Sequence, residues 1–201
     1  MPPIFPSNSS LILASASPRR KELLSRLGIP FEVKALNTPE PLDQSPPSEQ
    51  VVRLALAKLE AFRSTYPTTK RPILCADTCV DIDGRILGKP SNEEEAEKML
   101  FRLSGRWHRV ITALALGLEG EPPIIKSAVT EVRFAKLTKA EVHWYIETGE
   151  WRDVAGAYRI QEQGALLIEE IRGCFYNVMG LPLRLVYGML RDTVPDVFPN
   201  P

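Results

Sequence analysis

The sequence has no excess of charge of either sign: Lys plus Arg and Asp plus Glu both number 25 in 201 residues. Nucleic acid therefore finds no overall attraction and is not expected as a partner, and any anion site must be built locally. No apolar run approaches the ~20 residues that span a bilayer. The first residues, MPPIFPSNSS, lack the basic stretch and apolar segment of a secretion signal. These absences predict a cytoplasmic protein without a membrane segment. Cysteine and histidine are scarce: Cys75, Cys79 and Cys174, with His108 and His143. The cysteines form neither an even disulfide set nor a C-x-x-C pair, which points to free buried thiols rather than a disulfide frame or zinc site. Also missing are the G-x-x-x-x-G-K-[ST] spacing of a P-loop and the G-x-G-x-x-G of a dinucleotide fold, so a triphosphate needs another device.

What is present is enough for a core. At 44% hydrophobic, residues 10–192 are expected to form a single domain, between a loose tail at 1–9 and a Pro-rich tail at 193–201. Leu11 to Ala14 reads as a short strand, and Pro18 opens a helix with Leu23, Leu24 and Leu27 on one face. Phe31 to Leu36 reads as a strand. Ser48 is placed to cap a helix carrying Val51, Leu54, Ala55, Leu59 and Phe62. Ile73 to Ala76 is the next short strand, ending on Asp77. Ser91 with Glu94, and Thr138 with Glu141, have capping-box spacing. Residues 107–118 and 124–134 read as two long strands. The alternation predicts an α/β fold: a mixed, strongly bent sheet flanked by helices, with two lobes around a cleft.

Three segments carry chemistry. Ser15-Ala16-Ser17-Pro18-Arg19-Arg20 brings a strand end, a capping serine, an N1 proline and two arginines to one helix start, where free N–H groups and guanidinium forks favour an anion. Alone it also describes an ordinary capped helix with solvated arginines. Cys75-Ala76-Asp77-Thr78 puts a carboxylate beyond the carboxyl end of a strand, where α/β sheets hold metal ligands or bases; alone, Asp77 equally caps a turn. Lys58 and Lys89 are candidate point charges for phosphate oxygens. In Asp153 to Gln161, a small-residue loop expected to lead into an apolar strand ends in an amide able to read a base edge. Asn177, ahead of a helix with Pro182 in its first turn, is a cap or turn residue that could also organise the cleft.

Taken in order, LILASASPRRKELL, LALAK, ADTCVDIDGRILGKP, LSGRWHRVITAL, VRFAKLTKAEVHWYIETGEWRDVAGAYRIQ and NVMGLPL resemble the Maf family of nucleotide pyrophosphatases, from about Leu11 to Leu190. The resemblance implies a Maf/ITPase-like fold, a nucleoside triphosphate substrate, a Mg²⁺ or Mn²⁺ cofactor and a homodimer. It gives Asp77 the proton-acceptor or metal-organising role. Arg19, Thr78 and Gln161 match positions that set substrate preference, and Ser15, Arg20, Lys58 and Lys89 match phosphate-facing ones. Glu40 aligns with an acidic residue that helps hold the metal. The AGAY-x-IQ pattern is similar to the branch acting on dTTP and UTP. Arg159 and Glu162 depart from the small residues usual there, and Asn37 stands where a carboxylate is common; these bear on base preference and metal affinity.

Two other readings use the same residues: a nucleotide- or nucleic-acid-binding regulator of cell division without turnover, and a phosphatase releasing orthophosphate. Product identity separates all three. A covalent route through Cys75 or Cys79 ranks below attack by water, since neither thiol has a clear histidine partner.

Overall fold

The computed structural model describes residues 10–39 and 43–198. One seven-stranded mixed sheet organises the chain. Strand β1 (Leu11–Leu13) leads into helix α1 (Pro18–Ser25), then β2 (Phe31–Val33), the long helix α2 (Pro47–Thr65), β3 (Ile73–Ile82) and β4 (Arg85–Leu87). Helix α3 (Glu93–Leu103) precedes β5 (Trp107–Gly117), β6 (Ile124–Phe134) and α4 (Lys139–Glu147). Two 3₁₀ turns lead to β7 (Ile168–Arg172), a short α5 (Phe175–Val178) and α6 (Leu183–Thr193). The strand order is β2-β1-β3-β5-β6-β7, with β4 pairing on β3.

Strand β3 decides where the site lies. It continues through Asp77 for ten residues instead of ending there, because Thr78, Cys79, Val80 and Ile82 are as strand-prone as the residues before them. Along one edge it pairs antiparallel with β5, from Ile73↔Gly117 to Asp81↔Arg109. Its other edge holds β1 only at Ile73 and Leu74, and β4 only from Val80 to Ile82. Between them, residues 75–79 have no strand partner on that edge among the described residues, and Asp77 is at the centre of this gap.

Side chains alternate across the strands and fill two cores. Ile12, Ile73, Cys75, Ile111, Ala113 and Ala115 pack under Val51, Ala55, Leu59 and Phe62, the inward stripe of α2. On the opposite face Leu13, Leu74, Ala76, Val110 and Leu114 pack with α1, α3, α4 and α6 through Leu23, Leu100, Val142 and Val186. Full burial of a Leu or Phe stabilises by roughly 1.5–3 kcal/mol, so each helix is held by its apolar stripe.

Several local expectations are corrected. Strand β2 stops at Val33. Helix α2 starts one residue earlier than Ser48, with Pro47 in its first turn and no side-chain cap; a proline there loses no intrahelical hydrogen bond. Asn92, not Ser91, caps α3 by accepting from the Glu95 amide, while the Glu95 carboxylate reaches back to Ser91. Thr138 and Glu141 do form the reciprocal capping box of α4. Tyr158 and Arg159 are irregular and Ile160 and Gln161 form a turn, with no further strand before Ile168. Pro182 stands just before α6 as its N-cap. The described part of the Pro-rich end is packed, not loose: Pro195–Val197 forms a 3₁₀ turn, Val197 is buried, and Phe198 sits edge-on to Tyr187. Among the described residues no helix is long and apolar enough to cross a membrane.

Candidate active site

The corner between β1 and α1 forms one wall of the gap in the sheet edge. Ser17 Oγ accepts from the Arg20 amide at 3.4 Å and Pro18 fixes the first helical turn. This turns Arg20 back across the end of β1. Its guanidinium donates to the Gly180 carbonyl at 3.0 Å, to Ser15 Oγ at 3.3 Å and to Thr78 Oγ1 at 3.0 Å. Arg20 thus ties α1, β3 and the loop before α6 together, and its charge is held in the cleft by protein acceptors.

Asp77 and Thr78 are neighbours on a strand, so they address opposite faces of the sheet. Asp77 faces α2, where Lys58 Nζ meets its Oδ1 at 2.5 Å, with both side chains largely buried. Thr78 faces the other way. Its hydroxyl lies 3.0 Å from that of Thr112, its cross-strand partner. Thr112 donates to the Asn177 carbonyl, and Asn177 Nδ2 donates to the Val110 carbonyl at 2.9 Å and to Thr130 Oγ1 at 3.0 Å. Asn177 is fully buried, so these bonds, more than a turn preference, are its role. Asn177→Leu would leave the Val110 carbonyl and the Thr130 hydroxyl without this donor, at a cost of about 2–3 kcal/mol. A protein of this size should then melt roughly 5–10 °C lower. A thermal melt checks this; an unchanged Tm would mean the network does not hold the loop.

The facing wall is the turn from Asp153 to Gly164. Asp153, Gly156 and Ala157 have φ of 58°, 72° and 62°, a left-handed path that favours glycine and costs other residues energy. Gly156 is required for a second reason: a Cβ there would meet Val80 at 3.0 Å. The Gly156 amide donates to the Gly88 carbonyl at 3.0 Å, which couples this turn to the Lys89 loop. Tyr145 accepts from the Arg159 amide at 3.1 Å, and the Glu150 carboxylate accepts from the amides of Gln163 and Gly164. Gln161 projects from this scaffold, and among the described residues its side-chain amide makes no hydrogen bond.

These walls enclose a cleft of about 830 Å³, the size of a small-molecule site. Ser15, Arg19, Arg20, Lys58, Asp77, Thr78, Lys89 and Gln161 all line it, whereas Asn177, Cys75 and Cys79 are buried behind it. Asn37, Thr38 and Pro39 line it too; Glu40 lies outside the described residues. Arg159, expected from the sequence to bear on base preference, faces the same space, and so does Asp153 at the start of that segment. Five cationic side chains (Arg19, Arg20, Lys58, Lys89, Arg159) thus meet two carboxylates (Asp77, Asp153) in a protein of zero formal charge. Burial, then the neighbouring charges of Arg159 and Arg20, hold the Arg19 pKa below the ordinary guanidinium value, with Asp153 opposing. Such crowding of like charge in a partly desolvated cleft favours an anionic ligand.

The remaining candidates for chemistry recede. Burial pushes the Cys75 and Cys79 thiols up to about 12, far from the thiolate a nucleophile needs. His108 is buried against Tyr158, with Nε2 2.8 Å from its hydroxyl, and burial pulls its pKa down to about 4, leaving a neutral core ring. Among the described residues no group of three His, Cys, Asp or Glu side chains converges on a point.

Comparison with known proteins agrees with this architecture. A HAM1 protein from Coxiella burnetii has the same fold, with a TM-score of 0.51 at 16% identity, over 92% of this chain and all of that one. A dTTP/UTP pyrophosphatase of Symbiobacterium thermophilum is 49% identical over 189 residues, covering 94% of this chain and 96% of the relative. One of Pyrococcus furiosus is 42% identical over 181 residues, covering 90% and 93%. The family model for Maf-like proteins matches residues 10–193, from the start of β1 to the end of α6 and so across both walls of the cleft. By that match and these identities, the chain belongs to the Maf family.

Proposed function

We propose that this chain is a nucleoside triphosphate pyrophosphatase that hydrolyses dTTP and UTP to the monophosphate and pyrophosphate. The observation that carries the reading is the cleft itself: cationic side chains converge around Asp77, a carboxylate anchored by Lys58 in the middle of a ladder. The relatives named dTTP/UTP pyrophosphatase, similar to this chain over most of its length, support the substrate class.

In this reading water attacks the alpha phosphorus. A new P–O bond forms, the bridge to the beta phosphate breaks, pyrophosphate leaves, and the water's proton passes to Asp77. Lys58 holds the carboxylate in place. Arg19 and Lys89 neutralise charge on the departing pyrophosphate, where fixed cations act without reorganisation. Ser15 and Arg20 complete the floor. A hard divalent ion fits this donor set: Mg²⁺ is held by one or two carboxylates together with substrate phosphates and needs no all-protein cage. Asp77 would hold it, and Glu40, next in the chain after the cleft-lining Pro39, is proposed to assist. When bound, the ion supplies further charge neutralisation on the phosphate oxygens.

Incubation with dTTP and separation of products by ion-exchange chromatography tests the proposal. dTMP and pyrophosphate are expected in equal amounts. dTDP with orthophosphate would make the protein a phosphatase instead, and binding without either product would make it a nucleotide-binding regulator.

A further inference from the structure

We propose that Arg159 is a second guanidinium beside Arg19 that grips the substrate's polyphosphate and sets a preference for triphosphates over diphosphates. The inference rests on the nucleotide reading above and adds to it a residue and a selectivity.

Arg159 is held with unusual completeness at its backbone. Its amide donates to Tyr145, its carbonyl accepts from the Glu162 amide at 3.3 Å, and Gly164 lies so close that a Cβ there would sit 2.4 Å from the Arg159 carbonyl oxygen. The side chain is only partly satisfied. One Nη2 hydrogen goes to the Arg152 carbonyl at 3.1 Å. Nε is shielded from solvent and, among the described residues, has no hydrogen-bond partner. A shielded donor without an acceptor is unfavourable, and this one belongs to a residue lining the cleft.

The second observation is electrostatic. After burial itself, Arg159 is the largest influence lowering the Arg19 pKa, and Asp153 opposes it. A guanidinium whose charge is disfavoured by a neighbouring cation is relieved by an anion beside it. A pyrimidine base offers carbonyl acceptors but no formal charge. Phosphate oxygens offer both, in the geometry that guanidinium forks match. Each added phosphate brings further charge, so the benefit of Arg159 should grow along the series from mono- to triphosphate.

Calorimetric binding of inorganic tripolyphosphate, alongside pyrophosphate, tests this without any base or turnover. In Arg159→Ala and Arg159→Gln the tripolyphosphate Kd should rise about ten- to a hundredfold, as expected for lost charge-assisted hydrogen bonds. Arg159→Lys should recover part of it. Steady-state kinetics should give a raised KM for dTTP, a reduced preference for dTTP over dTDP, and an unchanged ratio of dTTP to CTP. Tripolyphosphate affinity within twofold of wild type in folded Arg159→Gln would overturn the proposal. So would a shifted dTTP-to-CTP ratio with tripolyphosphate binding intact, which would make Arg159 a base reader. If the wild type binds tripolyphosphate through Arg159 yet releases no pyrophosphate from dTTP, the clamp stands and the pyrophosphatase reading falls.

Discussion

Asp77→Asn is expected to lower the turnover of dTTP by about a hundredfold or more while leaving the protein folded. The amide is nearly isosteric with the carboxylate, so β3 and its pairing with β5 should persist. What is lost is the charge that accepts a proton from water and draws a divalent ion. Lys58 loses the carboxylate at 2.5 Å, but it borders an open cleft in which water can solvate it. A cooperative melt and unchanged near-UV circular dichroism would establish folding, and pyrophosphate release would give kcat. Near-wild-type kcat in the folded variant would remove Asp77 from the chemistry. The same experiment in EDTA should abolish turnover, with Mg²⁺ or Mn²⁺ restoring it; full activity in chelator would leave Asp77 as a base without a metal.

The second large effect concerns the base. A glutamine amide presents one acceptor and two donors, so Gln161 can pair with the carbonyl and N–H edge shared by thymine and uracil, which cytosine presents differently. Its amide has no hydrogen bond within the described protein, and it stands on a turn whose path is fixed by Gly156 and by the Glu150 carboxylate. A wrong base leaves buried donors or acceptors unpaired at roughly 1–3 kcal/mol each, which is about ten- to a hundredfold in kcat/KM. dTTP and UTP should therefore outrank CTP and the purine nucleotides by that margin. Gln161→Ala should flatten the dTTP-to-CTP ratio while pyrophosphate remains the product. Comparing kcat/KM for dTTP, UTP, CTP, GTP and a 7-methylated GTP decides the matter. A preference for either guanine nucleotide would overturn the base assignment, and an unchanged ratio in the variant would give the reading to another residue.

Much of the site was legible because its signals are local. A proline after a serine at the end of an apolar run locates the start of α1, and the two arginines follow in its first turn. The long strands β5 and β6 and the capping box of α4 announce themselves by periodicity and spacing. The length of β3 was legible too, but misread. Asp83-Gly84 is a hairpin dipeptide, and Asp83 and Gly84 both adopt positive φ; taking it as the turn carries the strand through Asp77 to Ile82. Asn177 and Arg159 were different. Asn177 bonds to residues 47 and 67 positions away, and Arg159 meets Arg19 only through the fold. No spacing within the sequence encodes such meetings; they depend on which strands lie side by side.

The one-sided pairing of β3 has a further meaning for how such a protein changes over generations. Asp77 is fixed by a nine-pair ladder with β5, in a strand whose side chains pack into both cores, so a change that alters the backbone there disturbs both layers. Gln161 and Arg159 project from an irregular turn outside the ladder, anchored by the buried Ala157, Tyr158 and Ile160 and by contacts such as those of Gly156 with Val80 and Gly88. Drift in that turn can alter which nucleotide is accepted without disturbing the ladder. Diversification of substrate and preservation of hydrolysis can therefore proceed in the same gene, on different pieces of its backbone.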